Sequence, residues 1–272
     1  MLEHVRKNNV ERFKGFGSLY DRNRPAAPEE VVRILEMYLG EPPQTVVDVG
    51  CGTGLSTFLW LDRAEQIVGI EPSPDMRGVA EEKWRAAGSP DKLSFREGYS
   101  DDLELPDGSA DLITCSQSFH WMDPQPSLAE FSRVLRPGGV FAAYDCDWPP
   151  VLNEEIEAAY LALNERSDRR AAELSPEREQ AHKRSKDEHL RQIRDSGLFR
   201  YSREIVFHNW EVCDAERYTS IALSQGGHQT AIKRGAQDVA DMAEEFRRQA
   251  DEFFGGEAKD MLFSYRMRLG VK

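Results

Sequence analysis

The chain has 272 residues, enough for one large α/β unit with insertions or for two smaller units, and a formal charge of −13. That acidic balance argues against extended binding to nucleic-acid phosphates, which needs clustered Lys and Arg. Cys51, Cys115, Cys146 and Cys213 are scattered with no C-x-x-C pair, so they read as reduced thiols of a cytoplasmic protein. No signal peptide is expected, no apolar run approaches a membrane span, and His4, His182, His189 and His208 stand at no metal-ligand spacing, so neither membrane nor metal is expected.

Residues 1–28 begin polar and then place Phe13, Phe16, Leu19 and Tyr20 at near-helical spacing. A helix from Pro28 to about Leu39 follows, closed by Gly40 with Pro42-Pro43 beyond it. Strands read at 45–49, 66–70, 93–96, 110–115 and 139–145, with helical segments after Gly54, Ser73 and Pro124. That alternation is the mark of a doubly wound parallel sheet. After Asp147, residues 153–196 are helical in pattern and highly charged; the Lys and Arg between Arg166 and Arg194 are interleaved with Glu and Asp and read as a solvated face. A strand-like segment at 201–210, a helical block at 214–254 broken by Gly226-Gly227, and an alternating strand at 261–271 complete the chain.

The most informative stretch runs from Thr45 to Ser56, an apolar strand entering a glycine-rich turn and then a helix start. Gly50, Gly52 and Gly54 allow a sharp turn and a close ligand approach. Glu71 closes the next apolar run 21 positions beyond Gly50, near the roughly 20-residue offset of a carboxylate that grips a ribose diol. The spacing is G-x-G-x-G rather than G-x-G-x-x-G, and Asp48 precedes it. A carboxylate there would repel a pyrophosphate and suit a ligand bearing a sulfonium and an α-ammonium group.

Residues 46–54 resemble the first motif of class I S-adenosylmethionine-dependent methyltransferases, and Gly69 to Met76 is similar to the second. Gly98 to Leu103 with Leu105 to Ile113 resembles the third, and Leu135 to Phe141 resembles the turn before the fifth strand. The resemblance, of the small-molecule, methyltransferase domain 11-like kind, spans residues 45 to about 147. It implies a Rossmann-like, doubly wound, mostly parallel seven-stranded sheet with an antiparallel last strand and helical lid insertions. The organisation expected is an N-terminal flap (1–28), a cofactor-binding core (29–147), a helical lid insertion (148–185), a core helix and strand (186–210), a second lid insertion (211–260) and a final strand (261–272). The cofactor implied is S-adenosyl-L-methionine. Glu71 would accept from both ribose hydroxyls, Pro72 follows it, and Met76 would lie on the adenine face. Ser100 and Asp101 would read the adenine edge, with Asp102 as the alternative to Asp101. Gly50, Cys51, Gly52 and Gly54 would form the turn and, with Asp48 close to its mouth, would bind the cofactor. Ser116 and Gln117 would contact the cofactor, and Tyr20 and Arg24 would close over its methionine end.

Methyl transfer from a sulfonium is an in-line displacement that depends on alignment, and a base is needed only for a protonated nucleophile. His120 is the candidate base, with packing in an aromatic loop as the competing role. Trp121, Trp148 and His228 are the candidate acceptor contacts, with Trp210, Gln229 and Arg266 also able to reach. The expected activity is transfer of a methyl group to O or N of a small molecule. A nicotinamide- or nucleotide-sugar-dependent enzyme on a related fold, or a non-catalytic binding module, are the rivals. Oligomeric state is not legible.

Overall fold

The computed structural model describes every residue except 1, 2, 13, 14 and 16, so Phe13 and Phe16 lie outside the described residues. Three helices lead into the sheet: α1 (Glu3–Glu11), α2 (Gly17–Asn23) and α3 (Glu29–Leu39). The last ends where Gly40, in the left-handed conformation, donates its N–H to Glu36 O. Then come β1 (Thr45–Val49), β2 (Gln66–Ile70), α4 (Pro74–Ala86), β3 (Leu93–Arg96), β4 (Ala110–Ser116), α5 (Pro124–Val134) and β5 (Leu135–Cys146). Ser73 caps α4 by accepting from Met76 N, and Pro74 fits its first turn, where no N–H is needed.

The second half holds α6 (Glu154–Leu174), α7 (His189–Asp195), β6 (Tyr201–Cys213), α8 (Ala215–Leu223), α9 (Gly226–Lys233), α10 (Gln237–Phe254) and β7 (Lys259–Val271). The seven strands order as β3-β2-β1-β4-β5-β7-β6. Strands β1 to β5 pair in parallel, and β7 runs antiparallel between β5 and β6. This is the doubly wound, mostly parallel sheet with an antiparallel final strand that the sequence predicts. Its central strands are apolar on both faces because both are covered. Val46, Leu112 and Val140 face a core built with Val32 and Leu35 of α3, while Val47, Ile113 and Phe141 face Leu128 and Phe131 of α5. Tyr160 of α6, Tyr218 of α8 and Phe246 of α10 join the first of these cores, so the extra helices are packed into the sheet's own interior.

Two expected helices differ. After Gly54 there is only a 3-10 turn, Thr57–Trp60. Thr57 Oγ1 donates to Asp48 and Ser56 Oγ meets the Tyr144 hydroxyl, so these short side chains bond to the sheet instead of supporting a helix. The block expected to be helical over 153–196 breaks at Ser175-Pro176, since proline disfavours helix in the residue before it. Residues 175–188 form an irregular strap with two 3-10 turns, 177–179 and 186–188. The strap crosses α1 and the loop after β4: Asn8 Nδ2 donates to Arg178 O at 2.7 Å, His182 N to Asn9 Oδ1 at 2.8 Å, and Arg184 N to His120 O at 2.9 Å. Among the described residues, no helix is long and apolar enough to cross a membrane.

Candidate functional site

The loops leaving the carboxyl ends of β1, β2 and β4, together with the segment after β3, surround a cleft of about 1210 Å³ that is partly open to solvent. This is where open α/β sheets take ligands. Gly50 has φ +68°, and a Cβ there would stand 2.6 Å from Ser118 Cβ, so the turn can cross the loop after β4 only as glycine. Glu71 ties two loops together: Gly52 N donates to its Oε2 at 2.9 Å and Ser73 N to its Oε1 at 2.8 Å. Burial raises the Glu71 carboxyl to about 7 against the pull of these N–H groups. Each oxygen keeps a lone pair for a further donor, and Glu71 lines the cleft.

Cys51, Gly52, Pro72 and Met76 line the same cleft, as do Ser116 and Gln117. Ser100 and Asp101 line it, while Asp102 is exposed and outside the lining. Arg6 of α1 forms an ion pair with Asp101 and lies 4.7 Å from the Tyr99 ring centre, so α1 covers that end of the cleft. Two residues of the turn stand elsewhere. Gly54 lies behind the lining against the Phe58 ring. Asp48 is fully buried beneath the turn, where Thr57 Oγ1 donates to Oδ2 at 2.7 Å and Thr114 Oγ1 to Oδ1 at 2.9 Å. The reading of Asp48 as a carboxylate facing an ammonium group is corrected: the two threonine hydroxyls hold it, and it does not border the cleft.

A second cavity, of about 510 Å³ including space open to solvent, shares Tyr20, Arg24, Gln117 and Trp121 with the first. The Arg24 guanidinium lies 5.0 Å from the Tyr20 ring centre and 4.8 Å from that of Trp148, and it donates to Gln225 Oε1 at 2.9 Å. His120 and Trp148 line this second cavity. His120 is 4% exposed, with Nδ1 3.4 Å from Asp145 Oδ1 at the end of β5. Burial pushes the imidazole down to about 4 despite Asp145, so it is neutral near pH 7. For Asp145, burial would raise the carboxyl, but Lys186, His120 and His189 outweigh it and hold it below the carboxylate range. Lys186 Nζ is 3.0 Å and Arg268 Nη1 3.8 Å from the Asp145 carboxylate.

His120, Asp145 and His189 have ligand-type atoms within 4.8 Å of one another, a grouping hidden from local spacing. Lys186 and Arg268 already stand where a metal ion's charge would act, so the group reads as an internal ion cluster. His228 is brought to neither cavity: its Nδ1 lies 3.4 Å from Ser167 Oγ between α6 and α9, and burial pushes it down to about 4. Trp210, Gln229 and Arg266 also lie outside both linings.

The sequence reading did not foresee Arg6, Asn9 and Arg12 from the N-terminal segment or Lys183 and Lys186 from the strap. The last two belong to the charge-rich stretch read as solvated, yet Lys186 turns inward to Asp145 and Gln117 Oε1. The proline that ends α6 was the available signal.

Residues 47–143 match a sequence family described as a methyltransferase domain. An uncharacterized methyltransferase of Mycobacterium tuberculosis is 34% identical over 127 residues, 46% of this chain and 49% of that protein. The malonyl-[acyl-carrier protein] O-methyltransferase of Serratia marcescens is 32% identical over 109 residues, 40% of each chain. The chain thus spans about half the length, or less, of these curated relatives. A solved structure of a candidate type II methyltransferase from Anaeromyxobacter dehalogenans superposes with a TM-score of 0.66 at 19% identity, covering 91% of this chain and 97% of that one.

Proposed function

We propose that the chain is a methyltransferase of the class I, S-adenosylmethionine-dependent type and that the whole protein transfers the methyl of S-adenosylmethionine to O or N of a small-molecule acceptor. The observation that carries the reading is the Gly50–Gly54 turn held to Glu71 across a cleft at the carboxyl edge of the sheet. The cofactor fits this lining: Glu71 offers lone pairs to a ribose diol, Met76 an apolar cover, and Ser100 with Asp101 polar groups for an adenine edge. Tyr20 and Arg24 stand at the opposite end, with Arg24 suited to a carboxylate. When bound, the cofactor supplies an electrophilic methyl carbon whose bond to sulfur breaks as the acceptor's bond forms, the electron pair staying on sulfur.

The protein's part is alignment and exclusion of water, with His120 able to hold an acceptor proton on a neutral ring oriented by Asp145. We read 1–28 as a flap and 148–185 and 211–260 as lid insertions. Four buried, unpaired cysteines support work in the reducing cytoplasm. The Serratia relative is by name an O-methyltransferase, which supports oxygen as the receiving atom.

Titration calorimetry with S-adenosylhomocysteine tests the reading. The wild-type chain should bind it, and Glu71→Ala should weaken it by roughly 10- to 100-fold, the worth of one or two charge-assisted hydrogen bonds. Unchanged affinity in a variant that still melts cooperatively would remove Glu71 from the ribose. Binding of a nicotinamide dinucleotide in place of S-adenosylhomocysteine would overturn the function.

A further inference from the structure

The second cavity has a chemical character of its own. Arg12, Arg24, Lys183 and Lys186 all line it, and no carboxylate does. These four come from three separate segments: the turn after α1, the end of α2 and the strap. The whole chain carries a formal charge of −13, so a four-cation lining is a local reversal rather than a general tendency.

The counter-charges around it are fewer. Asp145 faces Lys186 at 3.0 Å from below, and Asp168 acts on Arg12 and Lys183 from α6. Among the described residues, these two carboxylates face the four lining cations. Arg24 donates hydrogen bonds to the neutral acceptors Gln225 Oε1 and Ser224 O, and its buried Nε has no partner among the described residues. The cations also press on one another. Burial, and after it the repulsion of Arg24, lowers Arg12 to about 10 against the opposing effect of Asp168. Lys183 is lowered by burial first and then by Lys186 and Arg12.

Backbone geometry keeps this arrangement in place. A Cβ on Gly226 would stand 1.8 Å from an Arg12 guanidinium nitrogen, so the glycine lets that cation lie against the first residue of α9. Arg12 is thereby set at the positive end of a helix dipole, where an anion would be favoured. On the other side it covers Trp121, whose ring centre is 3.8 Å from its central carbon. Trp121 and Trp148 add flat apolar walls to the cationic ones.

We propose that this cavity is the acceptor site and that the acceptor is an organic anion, its carboxylate or phosphate group held by Arg12 and Lys183 with an apolar body against Trp121 and Trp148. This deepens the methyltransferase reading and rests on it for the role of the neighbouring cleft. The four residues shared by the two cavities put the anion's cavity next to the end of the cleft assigned to the cofactor's methionine part. A sulfonium brought beside four cations is repelled, and an anionic acceptor offsets that repulsion. An acceptor that attacks through an ionised oxygen has no proton to remove, which agrees with a neutral, weakly basic His120.

The test uses probes of one skeleton: phenylacetate, benzyl phosphate and phenylacetamide, each titrated by calorimetry into the protein alone, with S-adenosylmethionine and with S-adenosylhomocysteine. The anions should bind at least tenfold more tightly than the amide, and more tightly beside the sulfonium cofactor than beside its neutral product. Phenylacetate ahead of benzyl phosphate assigns a carboxylate; the reverse order assigns a phosphate. Arg12→Gln and Lys183→Gln should each weaken the preferred anion about tenfold while leaving S-adenosylhomocysteine affinity within about twofold; Arg248→Gln on the exposed face of α10 should change neither. Equal binding of amide and acid, or unaltered anion affinity in the Arg12→Gln, Lys183→Gln double variant, would overturn the proposal. Failure of S-adenosylhomocysteine to bind would instead strike the methyltransferase reading, with the anion titrations on the protein alone still deciding this one.

Discussion

Asp48 makes the stability of the fold depend on pH. Its carboxyl is fully buried, and burial raises it from the ordinary 3.8 to about 6 even though Thr57 and Thr114 both donate to it. Between about pH 4 and 6 the folded protein holds this proton more firmly than the unfolded chain does, so raising the pH through that window removes stability. Above it the full cost is present, of the order of 3 kcal/mol at about 1.4 kcal/mol per pH unit. Asp48→Asn cannot titrate. Its melting temperature minus that of the wild type should rise from pH 4 to 6 and then only slightly more through pH 7, as Glu71 ionises and repels Asp48 in the wild type alone. Scanning calorimetry across pH 4 to 8 measures this; a flat or falling difference would show that the carboxyl is not raised. His120, His189 and His228, each pushed down to about 4, act in the opposite sense but in both proteins alike, so they cancel in the difference. Sequence alone misread this residue, because a carboxylate two positions before a glycine turn says nothing about the Thr57 and Thr114 hydroxyls that fold over it. The place of Glu71 beside the glycine turn was legible since its spacing from Gly50 is fixed by one β-turn-β unit.

Elements that form from their own residues were readable, and those that depend on distant partners were not. The strands β1, β2 and β3 fall at the predicted bounds because short apolar runs between turn residues have few alternatives. The 3-10 turn at Thr57–Trp60 and the strap at 175–188 were missed, since both are set by contacts with the sheet and with α1. The Gly226-Gly227 pair was visible as a helix break, but its purpose lies in packing. A Cβ on Gly227 would stand 1.7 Å from the Asp168 carboxylate and 3.2 Å from Asp168 Cα. The carboxylate could swing aside; the backbone of α6 could not without moving the whole α6–α9 contact. Gly227→Ala should therefore destabilise by about 1–3 kcal/mol through overpacking. At 2–4 °C per kcal/mol for a chain of this size class, that is a fall of roughly 2–12 °C in Tm by circular dichroism. A Tm within about 1 °C of wild type would mean that α9 sits against α6 more loosely than this geometry.

On the scale of the whole molecule, the sheet and the cleft at its carboxyl edge were legible while the second cavity was not, because the latter is assembled from chain positions 12, 20–24, 117–121, 148, 183–186 and 224–226. No window of sequence contains it. The same assembly makes the N-terminal segment a cover for both cavities: Arg6 pairs with Asp101 at one end, Asn9 Nδ2 donates to Trp121 O at 3.0 Å in the middle, and Arg24 reaches Gln225 at the other. That cover is lightly anchored. Asn9 is the one residue of α1 that is buried, and α2 buries only Gly17. Few buried apolar contacts mean a low local opening free energy, so amides of α1 and α2 should exchange with solvent faster than those of β1 and β4. A ligand lying between the cover and the cleft would add contacts on both sides and oppose opening by mass action. Hydrogen exchange followed by mass spectrometry should then show S-adenosylhomocysteine slowing α1 and α2 by about tenfold or more while leaving α10 unchanged. Slowing confined to the loops after β1 and β2, with α1 and α2 unaffected, would mean that the N-terminal segment does not close over the ligand.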